Sequence, residues 1–150
     1  MYRRDESREL REESVDMKKL SVYMGGTCGD SDWREELKRI DGFDWFDPIV
    51  PVWDEEAYKN EVAHRKNDDI LLYVVTPKMK GVYSIAEVID DSNKRPSRVV
   101  FSFLEEDGAA KFEGHMLKSI EAVARMIQIN GAAYVPHNEL AAWFKRKLSN

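Results

Sequence analysis

Two glutamates could do chemistry together. Glu87 falls one turn into a predicted helix that follows the most apolar run of the chain. Its neighbours Tyr83, Ser84, Ile85, Ala86 and Val88 are small, aromatic or apolar. A carboxylate in such surroundings, close to a helix N-terminus, is partly desolvated and can serve as an oriented nucleophile or base. Glu61 lies eight residues before Asp69, which opens that apolar run. The helix carrying Glu61 runs antiparallel to the strand, so two turns back from the strand's start climbs toward its carboxyl edge. Two carboxylates in one cleft are the usual equipment for glycosidic chemistry, one as nucleophile and the other as acid or base. Each also has an ordinary reading. Glu87 can be a surface glutamate paired with a neighbouring charge, and Glu61 can sit on a solvated helix face.

Three loops are expected to form the site, after Met24, after Val52 and after Val75, and two of them carry candidate groups. The first is Gly25-Gly26-Thr27-Cys28-Gly29-Asp30-Ser31. Its glycines let backbone N–H groups approach an anion or a sugar, or simply make a tight strand-to-helix turn. It is neither a dinucleotide fingerprint nor a P-loop. Cys28 has no evident basic partner and reads as a bystander. The second is Thr76-Pro77-Lys78-Met79-Lys80-Gly81, whose lysines suit a phosphate or an ordinary surface. His64, His115 and His137 are scattered, so no metal site and no cofactor is expected.

The elements that must position these groups alternate between strand and helix. Leu20 to Met24 is a short strand. Ser31 or Asp32 caps a helix with Trp33, Leu37 and Ile40 on one face. Phe46 to Val52 reads as a strand running into a loop at Pro48 and Pro51. Asp54 caps a helix to about Arg65, with Tyr58 and Val62 on one face. Ile70 to Val75 is apolar throughout, as a strand buried on both faces would be. A helix over Val82–Asp91, a strand over Val99–Leu104, a helix through Met116, Ile120, Val123 and Ile127, a strand over Ala132–Val135 and a final helix from Asn138 follow. The alternation predicts an α/β three-layer sandwich of flavodoxin-like type, with a five-stranded parallel sheet in order 2-1-3-4-5. Ligands in such sheets sit at the carboxyl ends of the strands, near the switch between strands one and three.

The 150 residues are 43% hydrophobic and 34% charged, with net charge −5 and one cysteine. That length bounds the chain to one compact domain, placed here at 19–150, with a charged arm at 1–18. One cysteine excludes a disulfide framework or a multi-cysteine zinc site. No apolar run approaches the roughly 20 residues of a membrane span, and the polar N-terminus is not expected to be a signal peptide. The acidic balance argues against polymeric nucleic acid as a partner. A cytoplasmic chain without a membrane partner is expected.

The segments Val22-Tyr23-Met24-Gly25-Gly26 through Asp54, and Asp69 through Val88, resemble the nucleoside 2-deoxyribosyltransferase superfamily. The run from Tyr83 to Pro96 is the most specific part, and the resemblance spans about residues 20–145. It is closest to the nucleoside 2-deoxyribosyltransferase-like branch. The resemblance implies a flavodoxin-like fold and double displacement at C1′ of a 2-deoxyribose. It gives Glu87 as nucleophile, Glu61 as the acidic residue facing the base, and Tyr23 as an aromatic beside the substrate. It also implies a homo-oligomer.

The chain departs from that pattern at Gly81, six residues before Glu87, where transferases carry a sugar-binding aspartate and deoxynucleotide N-hydrolases a serine. Ser84 is the hydroxyl nearest to that place in sequence. Asn93 is a further contributor, or caps the helix end. The expected substrate is a nucleoside or nucleotide, with Gly25, Gly26, Gly81, Tyr83 and Ser84 around it and the base between Tyr23, Trp53 or Phe46. The expected reaction is cleavage or transfer at the N-glycosidic bond. The alternative is a non-catalytic nucleotide or nucleotide-sugar binding module on the same fold.

Overall fold

A computed structural model describes residues 18–149, so all but the last residue of the expected arm lies outside the described residues. Seven strands and five helices follow in order. They are β1 (Leu20–Gly26), α1 (Trp33–Lys38), β2 (Phe43–Phe46), α2 (Glu55–Asn67), β3 (Ile70–Val75), α3 (Tyr83–Lys94), β4 (Val99–Phe103), β5 (Glu106–Asp107), β6 (Ala110–Lys111), α4 (Gly114–Ile129), β7 (Ala133–Tyr134) and α5 (His137–Leu148). The main sheet is parallel, in order β2-β1-β3-β4-β7. This is the flavodoxin-like α/β arrangement, with the strand order expected from right-handed crossovers.

The pleat of β3 explains the layers. Ile70, Leu72 and Val74 face one core with Trp33 and Leu37 of α1 and Leu140 and Phe144 of α5. Leu71, Tyr73 and Val75 face the other with Val88 of α3 and Ile120, Ala124 and Ile127 of α4. All six β3 residues are buried, as strands covered on both faces must be. Asp69, just before β3, accepts hydrogen bonds from the Ser21 backbone N–H (2.9 Å) and hydroxyl (3.2 Å). It therefore pins the amino edge of the sheet, far from the carboxyl edge.

Several boundaries differ from the sequence reading. The second strand is Phe43–Phe46 rather than Phe46 to Val52. Pro48 and Pro51 withhold ladder donors, and the apolar residues Ile49, Val50 and Val52 around them are exposed. Helix α1 stops at Lys38, and Asp32 makes no side-chain cap. Helix α2 is capped by Asp54, which accepts from the Ala57 N–H at 2.8 Å. Its expected apolar face is not a core face, because Tyr58 and Val62 are exposed and the helix buries no residue. Met116 is likewise exposed on α4. The β5–β6 hairpin was not anticipated. Among the described residues, no helix is long and apolar enough to cross a membrane.

Candidate active site

The loops after β1 and β3 and the first turns of α3 enclose a cavity of about 280 Å³ at the carboxyl edge of the sheet. Gly26, Thr27, Cys28, Lys80, Gly81, Tyr83, Ser84 and Glu87 are among its lining residues. The first loop is held by its own carbonyls. The Thr27 carbonyl accepts from Trp33 Nε1 and Arg34 Nη1, both at 2.8 Å, and the Met24 carbonyl accepts from Arg34 Nε at 3.1 Å. Arg34 is thus a buried cation neutralised by carbonyl dipoles, with Asp47 3.6 Å away. The Thr27 side chain accepts from the Thr76 N–H at 2.8 Å and joins the two loops.

Glycines at the end of β1 serve this close packing. A Cβ on Gly25 would lie 2.6 Å from the Tyr73 ring and 2.8 Å from the Tyr23 ring. Gly26 has φ +120°, and a Cβ there would come within 1.9 Å of the Val74 carbonyl oxygen. Gly81 is open, with nothing near the place a Cβ would take.

Glu87 sits in the first turns of α3 and is 9% exposed. Its Oε2 is buried without a hydrogen-bond partner, although Arg65 Nη1 lies 3.2 Å away outside hydrogen-bond alignment. Burial pushes its pKa up to about 7, Arg65 opposes that rise, and the nearby Glu61 and Asp91 add to it. Glu61 comes from α2 and accepts a hydrogen bond from the Tyr23 hydroxyl at 3.0 Å. Burial, the neighbouring Tyr73, Glu61 and Glu87 hold the Tyr23 phenol well above its ordinary pKa, so it remains a donor. The two glutamates therefore do converge, from α2 and α3.

Other expected residues are placed differently. Tyr23 is 1% exposed, so its ring lies beneath the site and acts through its hydroxyl rather than walling a ligand. It stacks on Phe46 at 6.1 Å, and Phe46 in turn stacks flat on His64 at 3.6 Å. Trp53 is 55% exposed, packs edge-on against Tyr58 and does not line the cavity. Asn93 lies on another face of α3, donates to the Ile89 carbonyl at 3.2 Å and lines a separate groove against α4. Lys78 is engaged with the Asp30 carbonyl (3.2 Å) and Asp107 (3.7 Å), leaving Lys80 at the cavity wall. Lys94 and Arg95 pair with Asp90 and Asp91 at the far end of α3 and do not line the cavity. Cys28 does have a basic neighbour, Arg34 Nη2 at 3.7 Å.

Arg65 was not among the expected residues. Its Nε reaches the Tyr73 hydroxyl and Asp91 Oδ2, each at 3.1 Å, and its Nη2 reaches Asp91 Oδ1 at 3.2 Å. Asp91 is fully buried and also takes the Tyr73 hydroxyl and Arg95. The position of Arg65, four residues after Glu61, puts both on the same α2 face. That spacing is the signal the sequence offered.

The fold is a flavodoxin-like α/β arrangement, with Glu87 on the wall of the strand-end cavity and Glu61 next to Glu87 but outside the residues that line the cavity. No family model matches the chain, and no curated protein matches it. Among the described residues, no group of three or more His, Cys, Asp or Glu side chains is placed to hold a metal ion.

Proposed function

We propose that this chain cleaves or transfers at the N-glycosidic bond of a 2-deoxyribonucleoside or deoxynucleotide, in the manner of the nucleoside 2-deoxyribosyltransferase-like proteins its sequence resembles. The observation that carries this reading is the buried Glu87 oxygen that accepts no hydrogen bond, on the wall of a strand-end cavity, with Glu61 beside it. In the first step a Glu87 oxygen bonds to C1′ as the C1′–N bond breaks. The bonding pair leaves with the base, which takes a proton from Glu61 or from a water that Glu61 orients. In the second step water or another base bonds to C1′ and gives its proton back to Glu61, or to the water it orients, while the C1′–O bonding pair returns to Glu87 as the carboxylate. Tyr23 fixes Glu61 from below. The cavity volume suits a small-molecule substrate rather than polymeric nucleic acid. The same reading carries a cytoplasmic setting and a homo-oligomer.

One observation favours a second reading, a non-catalytic nucleotide or nucleotide-sugar binding module. Gly81 offers no side chain where the resemblance calls for a sugar-binding carboxylate. The deciding experiment incubates the protein with a panel of deoxynucleosides and deoxynucleotides and assays free base by chromatography. Base release that disappears in a folded Glu87→Ala variant supports catalysis. Binding without release across the panel supports the module.

A further inference from the structure

We infer that Arg65 is the positioning residue for Glu87: anchored on Asp91 and Tyr73, it holds the Glu87 carboxylate in one orientation and opposes its protonation. This rests on the glycosidic reading of the site and specifies how its nucleophile is kept ready. Asp91 is a fully buried carboxylate that two guanidiniums share, Arg65 and Arg95. One anion does not neutralise two cations, so a largely covered positive charge is left to find a second partner. Arg65 directs its remaining nitrogen, Nη1, to within 3.2 Å of Glu87 Oε2. Its other carboxylate neighbour, Asp90, is 3.8 Å away and half exposed, where solvent screens the pair.

The groups facing Glu87 are few. Helix α2 brings Arg65 and Glu61, α3 brings Asp91, and β1 and β3 bring Tyr23 and Tyr73. Lys80 and Cys28 share the cavity wall. Arg65 is the cation among them that reaches the Glu87 carboxylate, at 3.2 Å. Without it the burial of Glu87 and its neighbours Glu61 and Asp91 act unopposed, and Glu87 keeps its proton to higher pH. A neutral carboxyl group does not attack C1′. A purely structural Arg65 would neutralise Asp91 and leave the titration of Glu87 unmoved.

The test reads the Glu87 carboxyl directly by carbon NMR, assigned by its absence in Glu87→Gln, beside the pH profile of base release. In Arg65→Met the Glu87 midpoint is expected to rise by about one pH unit or more, with the acid limb of kcat/KM moving alongside it. The kcat should fall about 100-fold with KM changed less than about threefold. Arg65→Lys, which keeps the charge, should return the midpoint to within about half a unit of wild type. If Arg65→Met does not fold, Arg65→Gln is read in its place. An unmoved Glu87 midpoint in a folded neutral variant overturns the inference. If no panel compound releases base, the glycosidic reading fails, while the carboxyl titration still decides whether Arg65 opposes the protonation of Glu87.

Discussion

The Tyr23 hydroxyl donates to Glu61 Oε1 over 3.0 Å, linking β1 to a residue of α2 that lies 38 positions later in the chain. The phenol is buried and stays protonated, so the bond leaves Glu61 as acceptor. Tyr23→Phe removes one donor and nothing else from the core. The half-buried Glu61 regains part of its hydration, so a cost of about 1 kcal/mol in urea unfolding is expected. Base release should fall about tenfold as Glu61 loses its fixed orientation. Wild-type stability together with wild-type turnover would remove Tyr23 from the site.

Glu87 sets a pH dependence of opposite sign for stability and activity. Its folded pKa of about 7 lies above the ordinary 4.5, so the folded protein keeps a proton that the unfolded chain has lost between those values. The contribution is complete below about pH 4.5 and is lost as pH rises through 7. Glu87→Gln should therefore raise stability at pH 8 by about 2 kcal/mol and have little effect at pH 4.5, in paired denaturation curves. Activity runs the other way, because attack needs the carboxylate, and wild-type kcat/KM should climb with pH through about 7.

Gly26 and Gly29 separate packing from backbone conformation. Both have positive φ, +120° and +88°. A Cβ on Gly26 meets the Val74 carbonyl at 1.9 Å, whereas Gly29 has nothing within 4 Å. Gly29→Ala should cost about 1 kcal/mol from backbone strain alone. Gly26→Ala must part β1 from β3 and should cost more than about 3 kcal/mol. Thermal unfolding of the two variants compares them directly.

Asp107 fastens the hairpin to the first loop. It accepts from the Ser31 hydroxyl at 2.6 Å, with Lys78 3.7 Å away. Burial pushes its carboxyl upward, but hydrogen bonds from Ser31 and Thr76 and the Lys78 charge win and hold it below the ordinary 3.8. A lowered folded pKa gives stability that is present above about pH 4 and is lost as pH falls below it. Asp107→Asn should cost about 1 kcal/mol at pH 7 and less at pH 3, read from denaturation at the two pH values.

The elements that were legible carry a signal within a few residues. Six consecutive apolar residues make β3, and Asp54 announces α2 by its cap. Glu61 and Glu87 followed from counting turns along helices beside a known strand. The second strand was displaced because Ile49, Val50 and Val52 are more apolar than Phe43-Asp44-Trp45-Phe46, yet the prolines keep them out of the ladder. The hairpin was missed although Asp107-Gly108 is a turn signal, since its strands are two residues each. Arg65 was harder to see. Its role depends on Asp91, 26 residues away, and a charged residue on a helix reads by default as solvated. Trp53 and Asn93 were attractive by residue type, but type does not say which face of a loop or helix a side chain occupies.

Helix α2 buries none of its 13 residues. Its ties to the sheet are the Glu61–Tyr23 hydrogen bond, the Arg65 contacts to Tyr73 and Asp91, and the Phe46–His64 stack. Glu87, by contrast, belongs to a helix rooted in the core through Val88. Glu87 thus rests on apolar packing, whereas Glu61 is held through a hydrogen bond, ion pairs and one aromatic stack. The ion-pair share of the cost of lifting α2 falls as ionic strength rises. The crevice has a salt-sensitive wall on a salt-insensitive foundation.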